Sequence, residues 1–592
     1  MARKLKRIFG ANSRLSALSL VWILAAAYIF LFSLLSVVRY CSFITNAWDL
    51  GEFSQSMWTT LHGGGIFQNN VVFDSEFHVH FRPIMFLLLP IYAIFESPLT
   101  LLVLQSILIG LAAVPLYWIA KQELKSKIAI VFPILYLLYP ALAGANLFDF
   151  HPETFVPLFI FLGFFYYKNG QFGRFFLFMT LALTTKEDVS LVVIFLGLYL
   201  LILNRKSIFR HPLSKEVSVP LATSLLGVLW LVVSLWTVQY FLQTSGYARL
   251  ASSGYVHAKN VYGRLGGDQG LLNVVKTILT NPTLFLQVLF SNAGVKLGYL
   301  LALFLPVAFL SFFDFSAILF LPTLLSYLLA DSPNYYSIFY QYPSLLIPGI
   351  FIAAIYGMKR LRALNMTRAR YVGAAFILVT MFASLPLFSW TIFSNAFFSE
   401  PWFHSSRLAL YNGVLNSLCF IGCLLVLAWA VTHLLRARAL NLRRLYKHSR
   451  LFLISVGLIS VVIFSLFPQM SSMSGAHLLD HHDVLLSRII TYISANASVL
   501  TQADIFPQVS NRLYAYAYYN MTNVDYILID KSSFWYTYSL LAVEYQLKYG
   551  PQPPFPQYVD KLIESRRYGL LAYGDQIFLY ERGYHGVPIK LN

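Results

Sequence analysis

The chain reads as an all-α polytopic membrane protein that ends in a small α/β domain. Three observations carry that reading. Of its 592 residues, 58% are hydrophobic and only 11% are charged, too few charges to cover a soluble surface. Long apolar runs alternate with basic clusters. From about Gly475 onward the composition turns soluble. The excess of 43 Lys plus Arg over 25 Asp plus Glu, a formal charge of +18, would suggest nucleic acid in a soluble protein. Here it follows from the positive-inside rule, because the basic residues gather in particular loops.

The first apolar run, about Leu15 to Val38, is too long for a signal-peptide core and lacks a small-residue cleavage site, so it reads as a retained span. Basic clusters at Arg3 to Arg7, Lys121 to Lys127, Lys168 to Arg174, Arg205 to Lys215, Lys359 to Arg370 and Arg436 to Arg450 mark the cytoplasmic side. Between them lie apolar segments at roughly 15–38, 98–120, 128–147, 154–167, 174–185, 189–203, 217–243, 284–312, 316–330, 344–358, 371–393, 408–435 and 451–468. Judged against ~20 residues per crossing, they make about 13 spans in a transmembrane domain covering 1–470.

The stretch 174–203 is read as a hairpin with Lys186-Glu187-Asp188 at its turn, because one long helix would put its two flanking basic loops on opposite faces. With the N-terminus inside, loop 39–97, Phe148 to Glu153, the Lys186 turn, loop 394–407 and the domain 471–592 all fall outside. The apolar stretch Pro83 to Phe95 is half a membrane thick and reads as an interfacial or re-entrant helix. In the last domain, Ala497 to Thr501, Val524 to Asp530 and Gln576 to Glu581 look like strands. Leu540 to Tyr549 and Tyr558 to Arg567 have helical periodicity.

Charged clusters near one membrane face are the candidate site. Asp49 and Glu52 lie among Trp48, Phe53 and Trp58. The headgroup preference of tryptophan explains the aromatics of an interfacial helix and leaves the two carboxylates unexplained. A general base or a metal ligand is the chemistry they offer. His78, His80 and Arg82 end the same loop; His-x-His can hold a metal, with Asp74 and Glu76 nearby, or can simply be a solvated loop. In Asp149-Phe-His-Pro-Glu153, Glu153 suits the start of a helix, while His151 between two carboxylates has no such structural role. An outer Lys186 is suited to a lipid phosphate, and the same holds more weakly for Arg264, His404 and Arg407. The run His477 to Asp483 suits a metal by composition and a helix start by position.

The ordered motifs Asp49 to Trp58 with Leu61-His-Gly63, His80-Phe-Arg-Pro83, Phe148 to Glu153, Lys186 to Val189 and Val524 to Asp530 resemble a prokaryotic membrane protein family catalogued as a domain of unknown function. More distantly, the layout resembles the GT-C class of membrane glycosyltransferases. That resemblance implies a plasma-membrane enzyme with a cytoplasmic N-terminus and an extracytoplasmic C-terminal domain. It would move a sugar from a polyprenyl-phosphate donor to an unidentified glycan, lipid or protein acceptor on the outer face. Asp49 would be the loop-one acid, and His80 to Pro83 the segment before the short helix. Glu52, Asp149, His151 and Glu153 would be further catalytic groups. His80, Arg82, Lys186, Glu187, Asp188 and Arg407 would bind substrate. A divalent cation, Mg or Mn, is expected on Asp49, His80 and His151. The rival readings are a lipid or solute transporter, which predicts charges at mid-membrane depth, and a non-catalytic assembly protein.

Overall fold

The computed structural model describes residues 16–71, 74–244, 261–363, 479–518, 524–537, 553–565 and 567–592. The spans expected at 371–393, 408–435 and 451–468, the loop holding His404 and Arg407, and the helix expected at Leu540 to Tyr549 lie outside the described residues.

Among the described residues, four helices are long and apolar enough to cross a membrane: Ala17–Cys41, Pro98–Leu124, Lys127–Leu147 and Lys215–Thr244. The segment expected as a single span at 284–312 is instead two helices, Pro282–Phe290 and Ala293–Phe304, bent by 69°. The bend falls at Asn292, whose φ of 52° is left-handed, a conformation that asparagine tolerates better than most side chains. The expected span at 316–330 is a 3-10 turn, Phe315–Leu319, followed by the short helix Leu321–Leu328. The described helices therefore establish a mostly helical membrane protein, and several of the expected full crossings are shorter or broken pieces.

The hairpin reading of 174–203 matches the structure. Helices Phe172–Leu183 and Val189–Leu203 flank a turn that holds Lys186, Glu187 and Asp188. The half-length apolar stretch forms the helix Ile84–Tyr92, with Phe86, Leu87 and Ile91 on its exposed side. At Gly144, in helix Pro140–Leu147, an added Cβ would come 1.9 Å from the Ile338 carbonyl oxygen. That oxygen belongs to backbone and cannot swing aside. Gly144→Ala is therefore expected to displace the 331–343 loop and lower the thermal midpoint by several degrees, read in a detergent melt against Gly173→Ala, where an added Cβ meets nothing.

The C-terminal domain is a six-stranded mixed sheet of strands β1 Val499–Thr501, β2 Ala515–Ala517, β3 Tyr526–Asp530, β4 Tyr568–Gly574, β5 Ile577–Arg582 and β6 Ile589–Lys590, in the order β2-β1-β3-β5-β4-β6. β1 runs parallel to both β2 and β3, and β5 is antiparallel to β3 and β4. Asp575 and Gln576, both at positive φ, make the tight β4–β5 turn. The helix expected at Tyr558 to Arg567 is Phe555–Glu564.

This domain is docked on loop 39–97. Phe43, Ala47 and Val71 of the loop complete its apolar core, and Gly51 packs so closely on Phe506 that a Cβ there would sit 2.5 Å from the ring. Polar ties reinforce the seam. The Gln508 amide donates to the Tyr40 carbonyl at 2.7 Å, the Asn70 amide to the Leu513 carbonyl at 2.8 Å, and the Tyr92 hydroxyl to Asn511 at 2.8 Å. The domain thus lies at the same end of the helical body as the Asp49 segment.

His482, in the run flagged for metal or helix-start character, does start a helix. Asp480 caps it and forms a capping box with Asp483. Both ring nitrogens of His482 face carboxylates, Nε2 to Asp530 at 2.9 Å and Nδ1 to Asp575 at 2.8 Å. The hydrogen bond to Asp530, opposed by partial burial and aided by Asp575, raises the imidazole to about 9. A raised value means that the stabilisation is full below the ordinary value of 6.5 and is lost as pH climbs through about 9. The melting temperature is expected to fall across that window, and His482→Gln is expected to remove that component of the pH dependence.

Candidate active site

Local backbone places the key carboxylate. Asn46 caps the turn with its side chain, accepting the Trp48 amide at 3.0 Å, and Ala47–Gly51 form a single π-helical turn that presents Asp49. Extra-residue turns of this kind turn one side chain out of a helix's regular register. On the facing segment, Asp149 adopts φ 61°, and this kink carries His151 back toward the loop. The result is a hydrogen bond of 3.0 Å between His151 Nε2 and Asp49 Oδ1. His151 is buried, whereas the Asp49 side chain is 23% exposed. Asp49 is therefore the open end of a dyad whose histidine is sealed in.

Behind the dyad lies a buried charge network. Glu153 faces Lys186 at 3.7 Å and Arg82 at 3.9 Å, and Lys186 also meets Asp188 at 3.4 Å. Arg82 pairs closely with Glu76 and lies over the Phe53 ring at 4.9 Å. His80 Nδ1 meets Glu187 at 2.7 Å, and the other Glu187 oxygen accepts the Phe81 amide at 3.2 Å. Burial alone would raise the Glu153 carboxyl, but Lys186, Arg82 and His151 outweigh it and hold it down at about 2. Glu52 goes the other way: burial and the neighbouring Glu76 push its carboxyl well above the usual range. The cluster thus drives one carboxyl down and another up, the kind of divergence found where acid and base roles are separated.

The structure brings Asp49, His151, Glu153, Lys186, Arg82, His80, Glu187 and Asp188 into one connected cluster. It gives two other candidates inward positions. Glu52 is buried beside Glu76 and Arg82. Asp149 is occupied by Arg39 at 3.1 Å and by the Asn46 amide at 2.7 Å, so it pins the Asp49 turn in place. His80 reaches Glu187, and among the described residues no three His, Cys, Asp or Glu side chains stand in a metal-ligating arrangement. What the described residues of the cluster offer a divalent cation is the Asp49–His151 pair and the His80–Glu187 pair.

Two contributors were not among the sequence candidates. Arg39, the last-turn basic residue of the first helix, holds Asp149, and its place at the end of a long apolar run was the available signal. Tyr342 covers Lys186 at 5.7 Å and packs at a tilt against Tyr335 at 4.1 Å. Lys186, Asp49 and Glu153 all act electrostatically on its phenol. Arg264, by contrast, pairs with Asp331 and lies outside the cluster.

A family of predicted membrane proteins, DUF2079, matches residues 39–419, which includes every member of this cluster. No curated protein matches the chain. Among solved structures, the crystal structure of ArnT from Cupriavidus metallidurans bound to undecaprenyl phosphate aligns with 94% of this chain and 98% of that chain, at 11% identity and a TM-score of 0.38. That likeness is too slight to bear on fold or function.

Proposed function

The chain belongs to the DUF2079 family of predicted membrane proteins, and from that premise and its own charge cluster we propose that it is a membrane glycosyltransferase using a polyprenyl-phosphate sugar. The observation that carries the proposal is a part-exposed Asp49, backed by His151, whose segment also carries Glu153 on the buried cations Lys186 and Arg82 at the ends of apolar helices. A base next to fixed cations suits displacement of a phosphate from a sugar. The acceptor hydroxyl attacks the anomeric carbon, its proton passes to Asp49, and the carbon–oxygen bond to phosphate breaks with its electron pair going to the phosphate oxygen. Lys186, assisted by Arg82, stabilises that leaving anion. Tyr342 and Tyr335 offer aromatic faces to the sugar or the first prenyl unit.

Burial alone would weaken the charge on both cations, but their carboxylate neighbours outweigh it. Acidic neighbours raise both Lys186 and Arg82 above their ordinary values, so neither loses its proton on meeting phosphate. A transporter reading needs charges strung along a path at mid-depth, whereas the described network sits where helices end, at the Lys186 turn and the start of Val156–Lys168.

The test is direct. Full-length protein in liposomes, given a panel of polyprenyl-phosphate sugars, is expected to release polyprenyl phosphate from at least one of them, detected by lipid mass spectrometry. Absence of release across the panel in the presence of cell-envelope acceptors would refute the reading.

A further inference from the structure

The far end of the helical body carries a second, unassigned feature. Where the helices Pro98–Leu124, Val156–Lys168 and Phe172–Leu183 end or begin, an open groove of about 720 Å³ is lined by Trp118, Phe165 and Tyr166 together with Lys121, Lys125 and Arg174. The Val156–Lys168 helix starts next to Glu153 and ends at this groove, 13 residues and ~20 Å away. The groove is therefore separate from the carboxylate cluster.

Its chemistry is one-sided. No carboxylate lines it, and the nearby Glu123 is already engaged by Lys168 at 2.9 Å and Lys359 at 2.7 Å. The same clamp ties the Pro98–Leu124 helix to the ends of two others and so fixes the wall on which Lys121 and Lys125 stand. Aromatic rings make up the rest of the wall: Trp118 packs against Phe165 at 5.2 Å, and Tyr166 lies under the Arg174 guanidinium at 5.3 Å. An open groove with aromatic walls beside three exposed cations at the end of membrane helices matches a molecule with one anionic head and an apolar tail.

We infer that this groove is a binding site for an anionic phospholipid, its phosphate held by Lys121, Lys125 and Arg174 and its upper acyl chain lying along Trp118 and Phe165. A free phosphate would gain nothing from the aromatic wall, and a zwitterionic lipid would bring its own cation against three others. Charge and surface together favour the anionic lipid.

The experiment uses the full chain purified in neutral detergent and native mass spectrometry with equimolar phosphatidylglycerol and phosphatidylcholine of identical chains. Wild type is expected to retain phosphatidylglycerol with about tenfold preference, since each cation at a surface favours an anionic headgroup. Lys121→Gln/Lys125→Gln/Arg174→Gln is expected to bring that preference to about twofold or less. Arg205→Gln/Lys206→Gln/Arg210→Gln, which removes the same charge from exposed positions off the groove, is expected to leave it unchanged. Because all six positions are exposed, both variants are expected to melt like wild type, and the Lys121→Gln/Lys125→Gln pair provides a milder check. Equal binding of the two lipids, equal losses in the two triple variants, or displacement of phosphatidylglycerol by millimolar glycerol phosphate would overturn the assignment; the last would mark a site for free phosphate.

Discussion

Asp49→Asn is expected to lower sugar transfer by about 10²–10⁴-fold, the range lost with a general base, while leaving the melting temperature within a degree or two of wild type. The asparagine keeps the shape and still offers an oxygen to His151 Nε2, so the 3.0 Å contact and the π-helical turn survive. What it lacks is proton affinity. The loss should therefore appear in turnover with little change in donor affinity, because the buried cations proposed to hold the phosphate are untouched. Asp49→Glu is the informative companion, since it restores a base displaced by one methylene and should recover part of the rate. Full activity in Asp49→Asn would leave Asp49 a structural residue and remove the proposed base.

Arg82→Met is expected to destabilise the protein by about 3–5 kcal/mol, the largest single effect on folding in the cluster, because it leaves buried carboxylates without their shared cation. Glu76, Glu153, Glu187 and Glu52 all act on Arg82, and the guanidinium also lies over Phe53. Removing the acid as well should soften the loss. Arg82→Met/Glu76→Gln is expected to recover a substantial part of the midpoint in a detergent melt, since an unpaired buried charge costs more than an absent pair. If the double variant were no more stable than the single one, the pair would not be the main term, and packing against Phe53 would carry the effect.

Much of this was legible in the sequence, for identifiable reasons. The hairpin at Lys186 followed from charge sidedness alone, and the short helix Ile84–Tyr92 followed from the length of its apolar run. The clusters at Asp49, His80, His151 and Lys186 were visible because ionisable residues stand out against 11% charge. Pairings were not visible. Nothing local says that His80 turns to Glu187, that Asp149 binds Arg39, or that Tyr342 roofs Lys186, since each joins segments more than 100 residues apart. Hydropathy likewise gives the length of an apolar stretch but not its bends, and the Asn292 break passed unseen for that reason. Strands β2 and β6, at three and two residues, are too short for a period-two pattern to register.

The seam between loop 39–97 and the C-terminal sheet also sets a schedule. Ser54 and Gln55 take partners at Asn511 and Arg512, a separation of 457 residues. A ribosome adding ~5–20 residues per second needs roughly 20–90 s to cover that interval. Throughout that time the segment bearing Asp49 has already been made, while the Phe506 side of its support does not yet exist. The chain thus makes the Asp49 loop early, and the cluster can take its final form only once the segment from Phe506 to Arg512 has also been translated.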